Sequence, residues 1–585
     1  MLTAYVRICW IEMKRCSECR RDYYDETLLY CLDDGTALLE GPASGSVIDE
    51  PATAILHEPG GVNESGTRRQ AYTTDRTAVL PIIIDQPVAV TASRNVSLTT
   101  IVLGIILITA LGFGAYWLYG RGGPKQIESI AVLPFVNEGG NAEVEYLSDG
   151  MTETLIKSLS QIPNLSVKPR SSVFRYKGKD TDLQTIAKEL NVQAILSGHV
   201  VQRGDQLILS LELVDASQDS VIWTEIYNRK QSDLVALQSE IAKDVSTNLK
   251  AKLSGTDVQN VTRSYTNNPE AYQLYLKGRY HWNRRTSEDL EKAVDHFKAA
   301  IERDDQFALA YSGLADTYSV LQYYQGSRSS DFISKAMPYA VRAVELDDKL
   351  AEAHSSLAFA NEGSWKWDEA EREYKRALEL NPNYSSALMR FARFEVRIPK
   401  RDAEGLELIK RALEIEPSLA VISDNLSQMY LSQGKVDLAA ENAKKTVELD
   451  PNFSFGWIDL AYVQLRTGQI GEARTSAQRV AEITRRSSRS LICLGVVAAG
   501  SGHRDEAQDI LKELEQRYDR READAVDVAA LYAGLDDKDQ TFVWLDKAFA
   551  DHSSLLVDLR AEFPFAAILD DPRYRDLRKR MKMPE

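Results

Sequence analysis

The chain has 585 residues, enough for several domains, and its 44% hydrophobic and 27% charged content is that of a folded protein. A formal net charge of −16 argues against nucleic acid as its main ligand, because duplex binding rests on Lys and Arg neutralising phosphates. Four of its five cysteines lie within the first 31 residues, so they do not form the spread framework of a disulfide-stapled secreted domain.

The first element, residues 13–40, carries the thiol cluster. Cys16 and Cys19 have the two-residue spacing of a zinc knuckle, and Cys31 and Asp34 follow at the same offset on a second turn. Zinc takes four ligands in a tetrahedron, and a carboxylate oxygen is an acceptable one. So short a segment has no core of its own and needs a staple. Cys16, Cys19, Cys31 and Asp34 are therefore the expected zinc ligands; Cys9 is another candidate for the fourth place, and free thiols are the alternative. The segment resembles the short single zinc ribbons at the start of some bacterial membrane proteins, with Tyr24, Tyr30, Cys31, Asp34 and Gly35 fitting their ending. Met13 stands directly before it, which leaves residues 1–12 as an extension from an earlier start codon.

Residues 41–94 read as a flexible linker, rich in Gly, Pro, Ser, Thr and Asp without sustained periodicity. PATAIL (51–56) and DRTAVL (75–80) share one pattern there. Thr53 and Thr77 are candidate phosphorylation sites, where added charge would create a docking point; chance similarity is the other reading. Residues 95–120 then contain no charged side chain and are long enough to cross a bilayer as one helix. Arg94 and Arg121 bracket that span, and Tyr116, Trp117 and Tyr119 form an aromatic belt at its end. Lys and Arg near the span hardly decide its orientation. The thiols do: reduced metal-binding cysteines place the N-terminus in the cytoplasm and residues 122–585 outside a bacterial inner membrane.

Residues 127–253 alternate strand and helix patterns and are expected to form a compact α/β domain. Strands are predicted at 130–135, 165–168, 194–201, 206–214 and 221–227, with helices over 147–161, near 182–190 and from 232 to 253. Gly204-Asp205 marks a hairpin turn. The polar stretch Arg170, Ser171, Ser172, Arg175 and Lys177 reads as a solvated loop and edge, with an anion or partner site as the alternative. His199 reads as structural. The phrases SIAVLPF, EYLSDGMTETLIKSLSQIPNLSV, RSSVFRYKGK, IAKELNVQAILSGHV and VIWTEIYNRK resemble the TolB-type amino-terminal domain that bacteria place after a membrane span and before tetratricopeptide repeats. The resemblance implies a non-catalytic module.

Residues 268–550 repeat. RALELNP, RALEIEP and TVELDP end at Pro382, Pro417 and Pro451, spaced as tetratricopeptide units are. Ala358 and Ala370, Ser427 and Ala439, and Ala461 and Ala473 supply the small residues that let paired helices approach. About seven units are expected, with an insertion near 322–330, and residues 551–585 resemble the capping tail common after such arrays. Arrays of this kind curve into a superhelix whose concave face binds peptides. First-helix spacing points Arg393, Arg397, Gln428, Tyr462 and Arg466 onto that face. They are a candidate groove for an acidic or carboxylate-ended peptide, held by charge-assisted hydrogen bonds, or else an ordinary solvated surface.

No nucleophile elbow, phosphate loop, dinucleotide fingerprint or paired-histidine metal motif occurs in the sequence, and no small-molecule substrate site is evident. The expected fold class is therefore multidomain: a zinc-ribbon-like segment, one transmembrane helix, an α/β domain and an all-α tetratricopeptide superhelix. The expected function is a membrane-anchored, non-enzymatic scaffold or assembly factor that binds other proteins. The alternative is a transmembrane signalling or transcriptional regulator, in which the outer domains sense a ligand and the ribbon transmits the output.

Overall fold

The computed structural model describes residues 14–16, 22–23, 38–40, 127–140, 144–249 and 254–585. The chain falls into two units, Met1–Ile106 and Leu107–Glu585. In the first, β1 (Lys14–Cys16) pairs antiparallel with β2 (Asp22–Tyr23) on one side and β3 (Leu38–Glu40) on the other. Cys19, Cys31, Asp34, Thr53, Thr77 and the predicted span at 95–120 lie outside the described residues. Among the described residues no helix is long and apolar enough to cross a membrane, and no group of three or more side chains is placed to hold a metal ion.

The second unit begins with the α/β domain. Its strands are β4 (Ser129–Val132), β5 (Val136–Asn137), β6 (Ser166–Val167), β7 (Ala194–Arg203), β8 (Gln206–Asp215) and β9 (Ser220–Lys230). The sheet runs β6-β4-β7-β8-β9, with β5 also on β7; pairing is parallel up to β7 and antiparallel beyond it. The alternation read in the sequence is the reason: Leu207, Leu209, Leu211 and Leu213 of β8 are all buried on one face. Helices α1 (Glu145–Leu159), α3 (Leu183–Leu190) and α4 (Leu234–Asn248) bury their apolar stripes in the same core. The polar run at 170–177, read as a solvated loop and edge, opens instead with a helical turn, α2 (Arg170–Phe174); Arg175 and Lys177 are exposed, while Arg170, Ser171 and Lys177 also meet Glu153, Glu416 and Asp149. His199 lies half-exposed beside Glu138.

After the short α5 (Gly255–Val261), eight antiparallel helix pairs follow, one more than the sequence count. They are α6/α7 (Pro269–Arg284, Ser287–Arg303), α8/α9 (Ala308–Leu321, Ser329–Leu346), α10/α11 (Ala351–Gly363, Trp367–Leu380) and α12/α13 (Ser385–Arg397, Asp402–Ile415). The rest are α14/α15 (Ala420–Ser432, Val436–Leu449), α16/α17 (Ser454–Arg466, Ile470–Thr484), α18/α19 (Ser488–Gly500, Arg504–Asp519) and α20/α21 (Ala525–Gly534, Lys538–Ala550). The small residues named above are all fully buried, and Ser427 donates to the Ala439 carbonyl of its paired helix (3.0 Å). First and second helices differ in kind. In α8 every residue but Tyr311 is buried, whereas α13 buries only Gly405, Ile409 and Ala412. The first helices therefore form the inner layer and the second helices the solvated wall.

The array closes back on itself through its tail. One-turn helices at Ser554–Asp558 and Phe563–Ile568 pack against α9, α10, α14 and α20, and α22 (Pro572–Arg580) follows. Asp524 accepts from the hydroxyls of Ser329 and Ser553 (2.8 Å each), joining the second repeat to the eighth. Trp367 donates its indole N–H to the Met581 carbonyl (2.9 Å). Phe565 and Ile568 are sealed from water, and each such side chain contributes about 1.5–3 kcal/mol.

Candidate functional site: the inner face and its occupant

The candidate site lies on the inner layer, where four of the five sequence-picked residues meet. Arg393 and Arg397 stand one turn apart on α12, Gln428 on α14 and Tyr462 on α16, and all four line one cavity. Arg466, the fifth, lies on the exposed end of α16 and does not line it.

The two arginines are already engaged. Arg393 donates to Asp558 of the tail (2.9 Å), and Arg397 pairs with the same carboxylate and with Glu362 of α10. Arg397 is among the largest fully buried side chains in the described chain. Burial alone would push the Asp558 carboxyl up, but the Arg397 and Arg393 guanidiniums outweigh it and hold it well below the usual aspartate range. Four residues on, Glu562 takes both of its oxygens to Arg489 of α18 (3.1 and 3.2 Å). Phe563 stacks on Tyr462 with ring centroids 5.1 Å apart. Arg560 reaches outward to Asp402 through two bonds of 2.7 and 2.8 Å. The inner face thus holds an acidic, aromatic-bearing segment of polypeptide, and that segment is the chain's own.

The sequence did not single out Asp558, Glu562, Phe563 or Arg489. No local pattern links Arg397 with an aspartate 161 positions away. The available signal was the placement of DLRAEF (558–563) in a tail that follows the last repeat directly.

A second joint fixes the α/β domain to the array. Glu153 of α1 accepts from Arg279 (2.6 and 2.9 Å) and Asn283 (2.7 Å) of α6, and Arg170 approaches it at 3.3 Å. Burial raises the Glu153 carboxyl, yet Arg279 and Arg170 bring it below its ordinary value. Ser171 donates to Glu416 at the end of α13 (3.0 Å), and Lys157 pairs with Glu352 of α10. A Cβ on Gly150 would stand 3.0 Å from Leu276, so glycine lets α1 lie close on α6.

Comparison with known proteins divides the chain in the same way. Residues 125–244 match the family of the HilA/YgeH-like transcriptional regulator, second domain, and residues 351–384 match the tetratricopeptide repeat. The repeats are therefore tetratricopeptide repeats. A curated relative, the putative adenylate cyclase 3 of Rhizobium meliloti (strain 1021), is 34% identical over 151 residues, 26% of this chain and 26% of that one. The chain spans about a quarter of that relative's length. Among solved structures, pilF of Pseudomonas aeruginosa is similar at 23% identity over 37% of this chain and 94% of its own, with a TM-score of 0.29. PilW, a type IV pilus biogenesis factor, is similar at 19% identity over 36% and 93%, with a TM-score of 0.30. An IFIT1 monomeric mutant with Gppp-AAAA is similar at 14% identity over 59% and 76%, with a TM-score of 0.40. At such TM-scores none of these likenesses bears on function.

Proposed function

We propose that this chain is a non-enzymatic scaffold or assembly factor whose repeat array binds partner proteins by holding an acidic, aromatic-bearing segment on its inner face. The observation that carries the reading is the occupant of that face. Asp558, Glu562 and Phe563 dock on Arg393, Arg397, Arg489 and Tyr462 through the ion pairs and ring contact a peptide ligand would use. Tetratricopeptide arrays bind through this layer, and the docked tail supports an acidic, aromatic-bearing segment as the ligand.

The rest of the reading concerns where the array works. Residues 95–120 anchor the chain in a membrane as a single span, with the ribbon at 13–40 in the cytoplasm and residues 122–585 outside it. Cys16, Cys19, Cys31 and Asp34 hold one zinc ion, and the α/β domain is a TolB-like spacer between membrane and array. Zinc content and reporter fusions on either side of the span test these parts. Less than one zinc per chain, or both fusions reporting one compartment, contradicts them.

A photo-crosslinking amino acid at Gln428, with Arg466 as the outer control, tests the scaffold itself in the full-length chain. The reading expects a partner captured from Gln428 and not from Arg466; capture from neither position overturns it. A second reading, a transmembrane regulator that senses outside and signals through the ribbon, is favoured by the match of residues 125–244 to a transcriptional-regulator domain. It gains if crosslinking finds no protein while a small ligand changes the state of the ribbon.

A further inference from the structure

The tail does not fill the space it closes. Between it and the inner helices remains a cavity of about 110 Å³. An engineered cavity of ~150 Å³ admits one benzene, so an occupant here needs a smaller body than a ring.

Five arginines reach this space, and four of them have acidic partners. Arg390 pairs with Asp316, Arg393 and Arg397 with Asp558, and Arg489 with Glu562. The two aspartates on the wall, Asp424 of α14 and Asp459 of α16, hydrogen-bond to each other. Burial pushes both carboxyls up, Asp424 to about 7 and Asp459 well above the ordinary range, so the pair keeps a proton near neutral pH.

Arg285 is the fifth. It follows the last turn of α6 and has no carboxylate partner among the described residues. It is half-buried, and the face of its guanidinium rests on the Trp282 ring, 3.7 Å from the centroid. Stacking leaves the in-plane N–H donors free. Burial lowers the guanidinium to about 10, against the pull of Tyr324, and it stays charged at neutral pH. Tyr324 begins an aromatic wall beside it. Its ring meets Phe455 edge-on with centroids 5.4 Å apart, and Phe455 lies 5.7 Å from Phe453. The cavity thus combines one unpaired cation with an apolar wall. The scaffold reading has no use for Arg285.

We propose that this cavity binds a short-chain monocarboxylate, its carboxylate accepting from the Arg285 guanidinium and the Tyr324 hydroxyl and its alkyl chain lying along Phe455 and Phe453. A carboxylate has two oxygens and accepts from both donors at once. A phosphate dianion would need a second free cation, and an amine would meet the Arg285 charge. The carboxylate binds the array with its tail in place, whether or not a partner protein docks.

Calorimetric titration of the full-length chain with butyrate tests this, with butylamine and butanol as comparators. Arg285→Gln removes the charge and keeps a polar side chain; Tyr324→Phe keeps the ring and removes the hydroxyl. We expect saturable one-to-one binding of butyrate, weakened at least about tenfold in Arg285→Gln, the weight of a charge-assisted hydrogen bond. Tyr324→Phe should lose roughly threefold or more, the weight of a single ordinary hydrogen bond. No binding of butyrate up to roughly 10 mM by the folded chain overturns the proposal. So does equal binding of butanol or butylamine, or unchanged affinity in either variant.

Discussion

The array grips a carboxylate in two places, and it uses one device for both. On α6, Arg279 and Asn283 stand one turn apart and hold Glu153 of the α/β domain; on α12, Arg393 and Arg397 stand one turn apart and hold Asp558 of the tail. In both, guanidiniums overcome a burial cost that would otherwise neutralise the acid. The difference lies in what carries the acid and how deep it sits. Glu153 belongs to a 15-residue helix with its own buried stripe and stays 19% exposed at the rim of a packed interface. Asp558 ends a single turn, is 5% exposed, and lies at the centre of the closed array. The same chemistry therefore serves a joint between two domains at one end and holds the chain's own tail on the inner helices at the other.

The strongest way to break the comparison is Arg397→Ala. It leaves Glu362 without its arginine and Asp558 with Arg393 as its one remaining cation, and removing one partner of a buried pair costs about 3–5 kcal/mol. Urea unfolding followed by tryptophan fluorescence should show that loss; a loss under ~1 kcal/mol would mean that the tail is held by its apolar residues alone.

Glu153→Gln should cost less, about 1–3 kcal/mol, because its one remaining oxygen can still accept from Arg279 and the site is partly solvated. Hydrogen exchange should rise in α1 and α6 and stay unchanged over 553–568. Equal loosening of both regions would show that the two joints are one cooperative unit.

A third test uses pH. Burial pushes Asp527 up to about 7, partly against Arg489. The folded chain thus keeps a proton that the unfolded chain releases. This contribution is complete below the ordinary aspartate value of 3.8 and is lost as pH rises through about 7. Asp527→Asn keeps an oxygen to accept from the Asp524 N–H (3.1 Å) and has nothing to titrate. It should melt higher than the parent at pH 8, by roughly 1–3 kcal/mol, and match it near pH 4. Asp558, with its lowered carboxyl, works the other way: its contribution is present above the ordinary aspartate range and fades as pH falls below it.

The smallest effect is expected from Arg466→Ala. That side chain is exposed and outside the cavity, so stability should stay within ~0.5 kcal/mol and crosslinking at Gln428 should be unchanged.

Local pattern carried much of the architecture. The alternation in QLILSLELV (206–214) placed β8, and the small-residue positions at 427 and 439 placed a helix pair. Arg393 and Arg397 were legible because first-helix spacing points them inward. Their partner was not, since the tail returns across the array from beyond its end. The stretch at 170–177 was only half legible for a related reason: Arg175 and Lys177 are exposed as read, but nothing local shows that Ser171 reaches a distant Glu416. Asp424 and Asp459 carry no motif at all, and only packing removes them from water.

The central claim is that the tail occupies a groove built for segments of its kind. It is tested most directly with a fluorescein-labelled peptide of residues 553–568 and the full-length chain carrying Asp558→Ala, Glu562→Ala and Phe563→Ala. The account predicts that the peptide binds this loosened chain saturably and the parent chain not at all, and that a peptide with Asp558→Asn and Phe563→Ala fails to bind either. No binding to a loosened chain that remains folded, or equal binding of the substituted peptide, would contradict it.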